Sequence, residues 1–492
     1  MKKAFVLREE PFDGYNWNVG DHLIHAGVDT IVDHLGQFTR TYVNRKQFGL
    51  PDPSERADLL VYAGMPQFAA TDRASMDDQA WAMLRHRFPS TRAINVGCGT
   101  GYALHVNRLS VAANMASEYY NNWYYAAQSD VTYVTRDPLS WHFLDLLGLD
   151  ATLGLCPSHF AVAPPASKKY RIGVSLAHPE TKFDQAQKSR LQFELGELYQ
   201  SLLAKYPDAL VICQEPVDVE WAKALGITNL VLPRTVSEFY EACGSVGTLI
   251  STRVHATVCA VLRNVPTLHL AIDGRSDLLT PLMTCGLTKL NLFWHSQDEI
   301  LDAAQALVEK GTHIDPRPIV DRFRSATVDR LATSLKRIAK RQPSPGNVIV
   351  NPGHIARMAA GDVIFLTAEH FRANAGSNKD ERIVFPLEGI GKHVVFGPYK
   401  RLPRGRYEVV FDLEYWGRAG SLDSEMTFDV AVSGEVLAAD RIRLSDLLTN
   451  RRIVRIEFDH ERDKHDIEFR IEGFGHSGQL NVAFSGVRLR AL

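Results

Sequence analysis

No stretch of these 492 residues is long and apolar enough to span a bilayer. The opening Met1-Lys2-Lys3-Ala4-Phe5-Val6-Leu7 begins like a signal peptide but meets Arg8-Glu9-Glu10 too soon, so it reads as a first β-strand. Cysteine is scarce. The six, at 98, 156, 213, 243, 259 and 285, form no C-x-x-C pair, and most sit in apolar segments. That pattern excludes a disulfide frame and a zinc site and reads as buried free thiols of a reducing compartment. The 18 histidines show no H-x-x-x-H or H-E-x-x-H spacing, so no metal-ligand cluster is visible. An excess of charge is also missing. A formal net charge of -2 removes the electrostatic case for a nucleic acid or an anionic membrane.

What is present is alternation. Short apolar runs (Ala4–Leu7, Leu59–Ala63, Ala93–Val96, Val131–Val134) are separated by helix-like stretches, the pattern of a parallel sheet covered by helices. A proline-marked joint, Ala163-Pro164-Pro165-Ala166-Ser167-Lys168-Lys169, interrupts it. The pattern then restarts. Strand Arg171–Ser175 is followed by a helix over 185–206, strand Ala209–Cys213, a helix near Val219–Leu225, strand Asn229–Leu232, helix Val236–Cys243 and strand Gly247–Ile250. A basic helix, Ile319 to Lys340, with apolar residues at helical spacing, is expected to pack across the two halves with its cations in solvent. Gln342-Pro343-Ser344-Pro345-Gly346 marks a second boundary. Beyond it the period changes to two, as in Tyr407-Val409-Phe411-Leu413, Phe428-Val430-Val432 and Ile467-Phe469-Ile471. The expected fold is therefore α/β, with Rossmann-like domains at 1–165 and 170–345 facing a cleft, then an antiparallel β-sandwich at 346–492. The sandwich is carbohydrate-binding-like only in general form.

Chemistry concentrates at Ser251-Thr252-Arg253-Val254-His255-Ala256, where a buried strand ends and an apolar helix begins. In an open α/β sheet that is where ligands bind. Arginine grips carboxylate or phosphate with a planar fork, and histidine moves a proton near neutral pH. An anion clamp beside a proton donor suits a small, doubly anionic substrate. Arg136 likewise follows a strand and precedes a helix opened by Asp137-Pro138. Asn18, Gly20 and Asp21 lie between the first strand and a helix, with Asp21 placed as an N-cap and Gly20 allowing close backbone approach. Arg234 also sits between a strand and a helix. In the β-domain Tyr415, Trp416 and Arg418 offer either a sugar-stacking face or ordinary packing, and packing is the preferred reading.

These motifs carry a resemblance. S-T-R-V-H-A, the apolar helix, Asn264-Val265-Pro266-Thr267-Leu268-His269-Leu270 and the charged loop Asp273-Gly274-Arg275 resemble the signature of the polysaccharide pyruvyl transferase family, with Val254 where that family has leucine. Asn18-Val19-Gly20-Asp21 is similar to its N-x-G-D loop. Arg136-Asp137-Pro138-Leu139-Ser140 resembles its R-D-x-x-S helix start, and Tyr170 to Ser175 its second-half opening strand. One departure stands out: where the family has Pro-Asp, this chain has Cys156-Pro157-Ser158-His159, so His159 is a candidate substitute. The resemblance covers roughly residues 1 to 340.

The resemblance implies a GT-B-like arrangement and a transferase that moves pyruvate from phosphoenolpyruvate onto two hydroxyls of a surface-polysaccharide sugar, forming a cyclic ketal. It implies Arg253 and Arg136 as clamps, His255 as general acid and no cofactor beyond the donor substrate. The partners implied are phosphoenolpyruvate and a sugar acceptor on a polysaccharide, lipid carrier or nucleotide. A cytoplasmic place follows, with peripheral attachment at the inner membrane face and a homo-oligomer both left open. Two alternatives come from other classes: a GT-B-type glycosyltransferase using a nucleotide sugar, and a non-catalytic glycan-binding or assembly protein. Gly97-Cys98-Gly99-Thr100-Gly101 looks like a methyltransferase loop for S-adenosylmethionine. The strand before it lacks the usual acid and is not the first of its fold, so Gly97 and Gly99 are read instead as cleft residues.

Overall fold

A computed structural model describes residues 2–8, 18–44, 50–64, 66–69, 76–118, 131–161, 167–183, 185–311, 315–336, 348–349, 352–387, 393–449, 452–461, 464–474 and 478–492. Residues 163–166 of the first proline-marked joint and all of Gln342 to Gly346 lie outside them. The chain divides into two compact units. One holds Met1–Ala103, Tyr125–Asp137 and Ala151–Arg341; the other holds Leu104–Tyr124, Pro138–Asp150 and Gln342–Leu492. Among the described residues no helix is long and apolar enough to cross a membrane.

The first unit contains both Rossmann-like halves. The N-terminal sheet is built from β1 (Lys2–Arg8), β2 (Phe38–Asn44), β3 (Leu59–Ala63), β4 (Pro66–Ala69), β5 (Arg92–Gly101), β6 (Val131–Thr135) and β7 (Ala151–Leu153). Its strands are parallel in the order β2-β1-β3-β5-β6-β7, with β4 on the end of β5. Strands β3 and β6 are buried at every position, which is why they read as unbroken apolar runs rather than alternating ones. The second half contributes β8 (Tyr170–Ser175), β9 (Leu210–Ile212), β10 (Leu230–Val231), β11 (Val246–Ser251), β12 (Thr267–Ala271) and β13 (Thr288–Asn291). These are parallel in the order β10-β9-β8-β11-β12-β13. That is the dinucleotide-fold order, whose reversal between β8 and β11 opens a crevice at the strands' carboxyl ends. Helix Arg317–Lys336 buries Val320, Phe323, Thr327 and Leu331 and returns to helix Val19–Leu35 of the first half, as its periodicity implies.

Two local expectations are corrected. The helix expected over 185–206 is two, Gln185–Lys188 and Leu195–Lys205. Between them Leu191, Phe193 and Leu195 are the more covered positions and Gln192 and Glu194 the exposed ones, a period of two that a helix cannot satisfy. Gly97 to Gly101 is not a loop after a strand but the last half of β5. Gly97 adopts φ +80, and a Cβ there would lie 2.2 Å from the Pro157 ring, so glycine is required by backbone shape and crowding.

The second unit is the antiparallel sandwich. In one sheet Gly405–Ala419 lies between Val454–His460 and Gly478–Ala491, and the last of these also pairs Val363–Thr367 and Arg382–Pro386. In the other, Lys464–Phe474 and Glu425–Val432 pair centrally, flanked by Glu435–Arg443, His393–Phe396 and Pro398–Leu402. Phe411 and Phe428 meet edge-on at 5.2 Å between the sheets. Tyr415 and Trp416 are 1% and 2% exposed; they are core, as the packing reading has it. Helices Arg108–Glu118 and Pro138–Leu146 belong to this unit, where Leu109, Ala113 and Leu146 cluster with Val363 and Phe365. Buried charges meet there in pairs. Arg108 binds Asp412 at 2.7 Å, with His142 Nε2 at 3.2 Å from the same carboxylate, and Arg488 reaches Asp145 at 2.6 Å. Burial alone would raise the Asp412 pKa, but Arg108 and His142 outweigh it and hold the carboxyl far below its ordinary range.

Candidate active site

The carboxyl ends of strands from both halves converge on one cleft within the first unit. Its lining includes Asn18, Asp21, Arg136, Lys182, Gln214, Thr252, Arg253, His255 and Arg275. The walls are fixed by short polar side chains at the switch point. Ser175 Oγ donates to Ile212 O at 2.7 Å, Ser251 Oγ to Ser175 O at 3.0 Å, and Thr252 Oγ1 accepts from Ala177 N at 2.7 Å. These bonds tie β8, β9 and β11 together where the ladder ends. Across the cleft, Tyr102 donates to Asp277 at 2.8 Å, and its ring fills the space a Cβ on Gly274 would need. The end of β5 is thus seated against the loop that carries Arg275.

Arg253 is the N-cap of helix Val254–Leu262, in extended conformation. Its guanidinium is already engaged by carboxylates. It donates to Glu215 Oε1 at 3.1 Å and Oε2 at 3.4 Å, and to Asp218. Burial would lower its pKa, and Asp218 and Glu215 outweigh that to raise it. Asp218 also accepts from Gln214 N and Glu215 N, closing the capping box of helix Pro216–Ala224. Glu215 takes further bonds from Lys182 at 2.9 Å and Asn18 Nδ2 at 2.7 Å. The expectation that Arg253 faces a substrate anion is therefore modified: its anions are the protein's own. Arg253→Lys is expected to lower stability by about 1.5–3 kcal/mol, because a lysine cannot span both carboxylates and one charged hydrogen bond is lost. Thermal unfolding of the variant checks this, and an unchanged melting point would contradict it.

Arg136 is different. It is 2% exposed and lines the cleft, yet among the described residues no carboxylate pairs with it. Its Nε has no hydrogen-bond partner, and one terminal nitrogen reaches only Cys156 Sγ at 3.8 Å. Gly99 makes its position accessible, since a Cβ there would lie 2.2 Å from Arg136 Nε. The next residue, Asp137, bonds Thr100 N at 2.9 Å and Thr100 Oγ1 at 3.1 Å, and its carboxylate lies near the guanidinium without a hydrogen bond to it, since the same Gly99 Cβ would stand 2.8 Å from Asp137 Oδ2. A buried guanidinium with an unbonded Nε is costly unless a hydrogen-bonding anion arrives.

His255 occupies the first turn of its helix, against Gly20 of helix Val19–Leu35. Its Nε2 is buried without a partner. Burial first, then Arg136, Arg275, His159 and Arg253, hold its pKa well below the ordinary histidine value. A Cβ on Gly20 would come within 2.2 Å of His255 Nδ1. Gly20→Ala is accordingly expected to destabilise the protein by about 1–3 kcal/mol by overpacking and to displace the imidazole. Denaturant unfolding together with turnover tests it; wild-type values for both would show the ring to have room.

Of the remaining sequence candidates, Asn18 rather than Asp21 is the N-cap, accepting from Gly20 N at 2.8 Å while its amide holds Glu215; Asp21 lies inside the first turn and lines the cleft. His159 is buried beside the site, with Nδ1 2.9 Å from Cys156 O. Gly97 and Gly99 lie under the lining rather than in it. Arg234 is exposed, its amide bonded to Glu238, and is not among the cleft residues. Sequence reasoning did not assign Lys182, Gln214, Glu215 or Arg275. Arg275 stood in the charged loop already noted, where it pairs with Asp273 at 2.9 Å. Glu215 had a usable signal, a charged residue between a strand end and Pro216. Among the described residues no three His, Cys, Asp or Glu side chains come together as a metal set.

A family model for polysaccharide pyruvyl transferases matches residues 18–274, more than half of the chain, and spans every residue from Asn18 to Arg253 and His255 named above. The chain belongs to that family. No curated protein matches it. Among solved structures it is similar to the UDP-GlcNAc 2-epimerases of Methanocaldococcus jannaschii (10% identity, 68% of this chain and 99% of that one, TM-score 0.40) and Neisseria meningitidis (10%, 68% and 100%, 0.40). It is also similar to CalG4, the calicheamicin glycosyltransferase (11%, 69% and 99%, 0.34). These likenesses are too loose to carry an argument.

Proposed function

We propose that this member of the polysaccharide pyruvyl transferase family takes phosphoenolpyruvate as donor and builds a pyruvate ketal on two hydroxyls of a glycan. One observation carries the reading: Arg136, a buried cation unpaired among the described residues, lies in the same cleft as the unpartnered Nε2 of His255. The donor's carboxylate and phosphate supply the missing negative charge. The start of helix Val254–Leu262 adds backbone N–H groups and the positive end of its dipole.

The chemistry then follows from the donor. Protonation at C3 by His255 turns the methylene into a methyl group and leaves C2 electrophilic. One sugar hydroxyl adds to C2 and gives up its proton. The C2–O bond to phosphate breaks, and the second hydroxyl closes the ring. One hydroxyl proton is balanced by the proton at C3, and the other leaves with inorganic phosphate. Arg253 acts here as a positioning residue that holds Glu215, Asp218 and the helix start in place.

The test is thermal shift followed by phosphate release. Phosphoenolpyruvate is expected to raise the melting point, and glycan acceptors to release phosphate with the pyruvate carbons retained in the glycan. Stabilisation by nucleotide sugars and none by phosphoenolpyruvate would overturn the reading in favour of a glycosyltransferase.

A further inference from the structure

One surface of the sandwich carries an inference that rests on the reading of the enzyme as one that acts on a glycan. Strands His393–Phe396 and Pro398–Leu402 both pair with Lys464–Phe474, and the register of the second shifts between Pro398 and Lys400. At that step Tyr399 has φ +56, a left-handed conformation that a tyrosine rarely adopts. The residue is 40% exposed, one of the few large hydrophobic residues open to solvent among the described residues. A strained backbone that presents an aromatic ring to solvent spends stability without burying surface, the pattern found at binding sites.

The surroundings are those of a sugar platform. The Arg372 guanidinium lies 5.8 Å from the Tyr399 ring centre, and Phe396 meets the ring edge-on at 6.3 Å. Arg372 is paired with Phe396 across the strands, so the three are fixed by sheet register. Glu468, opposite Pro398, stands beside the tyrosine hydroxyl. One flat apolar ring with a charged donor and a carboxylate at its rim matches a pyranose, which has an apolar C–H face and a hydroxylated edge. Arg372, at the ring, supplies the cation that a sugar carboxylate would meet.

We propose that Tyr399, Arg372 and Glu468 form a binding site for an acidic glycan, with a sugar face stacked on Tyr399 and its carboxylate on Arg372. A polymer bearing pyruvate ketals has that chemistry. So has a uronic-acid polymer, and the test separates them.

The full chain is run by native affinity electrophoresis through gels containing pyruvylated xanthan, depyruvylated xanthan, polygalacturonate or dextran. Retardation is expected in the acidic polymers and not in dextran, strongest in pyruvylated xanthan if the ketal is the ligand and strongest in polygalacturonate if a uronate is. Tyr399→Ala and Tyr399→Gly are expected to lose at least about tenfold in affinity. The glycine variant should melt no lower than wild type, because glycine relieves the positive φ. Arg372→Gln should abolish the preference for acidic polymers and leave the fold intact. No retardation in any gel, or unchanged retardation of both Tyr399 variants, would overturn the site. The readout needs no turnover, so Tyr399-dependent binding without phosphate release from phosphoenolpyruvate would defeat the catalytic reading and leave this one standing.

Discussion

His255→Ala is expected to slow turnover by about 10²–10⁴ while phosphoenolpyruvate binding stays nearly intact. The imidazole sits among cations. Burial comes first in lowering its pKa, followed by Arg136, Arg275, His159 and Arg253. In the empty cleft it is therefore neutral at neutral pH and cannot yet donate a proton. A doubly anionic donor reverses the local field, because negative charge beside a histidine favours the charged form. Donor binding should then bring a proton with it. Calorimetry in buffers of different ionisation heat measures that uptake, and affinity should weaken as pH rises. The sign for the empty protein is opposite. A histidine with a depressed folded pKa contributes stability above its unfolded value, about 6.5, and loses it as pH falls. The stabilisation produced by the donor should consequently grow on going from about pH 7 to pH 5. His255→Gln decides between acid and clamp. As an acid, His255 cannot be replaced by glutamine, which donates a hydrogen bond but does not readily deliver a proton. Near-normal turnover in the glutamine variant with weaker donor binding would reduce His255 to a phosphate ligand.

Much of the architecture was legible because buried parallel strands leave unbroken apolar runs. Leu59–Ala63 and Val131–Thr135 appear at nearly the positions read from sequence. The cleft was legible in part for a related reason: ligand-facing polar residues stand directly after such runs, as Arg136 and Arg253 do. Sequence could not tell these two arginines apart. Both follow a strand and precede a helix, yet one is matched by Glu215 and Asp218, which lie 38 and 35 residues away in sequence, while the other is left unmatched. Pairing over such distances is set by the order β10-β9-β8-β11, which brings the end of β9 and its following helix to the end of β11. The glycines of β5 misled for the opposite reason. Gly97 and Gly99 answer to contacts with Pro157 and Arg136 from other segments, and no local pattern distinguishes that need from a phosphate loop. Tyr399 gave no signal, since its left-handed conformation follows from a register shift between strands.

Arg136→Met should separate donor binding from stability more cleanly than any other single change. The methionine keeps much of the side chain's length and apolar contact while removing the charge. If Arg136 is the main unsatisfied cation for the donor, its loss should weaken phosphoenolpyruvate binding by about 2–5 kcal/mol, roughly 30-fold to several thousandfold. Stability should move the other way or not at all. A buried cation with no carboxylate hydrogen-bonded to it carries a desolvation penalty that the nearby Asp137 offsets only in part, and an apolar side chain of similar volume removes that penalty. Arg253→Lys carries the reverse signature, since it breaks a satisfied pair: lower stability, with donor binding affected only through the shape of the cleft. Titration calorimetry with phosphoenolpyruvate and thermal unfolding of both variants give four numbers with opposed signs. Normal donor affinity in Arg136→Met would remove Arg136 from the site. A loss of several kcal/mol of stability in that variant would show that the guanidinium is satisfied within the protein, and the buried, unpaired cation on which the functional reading depends would be gone.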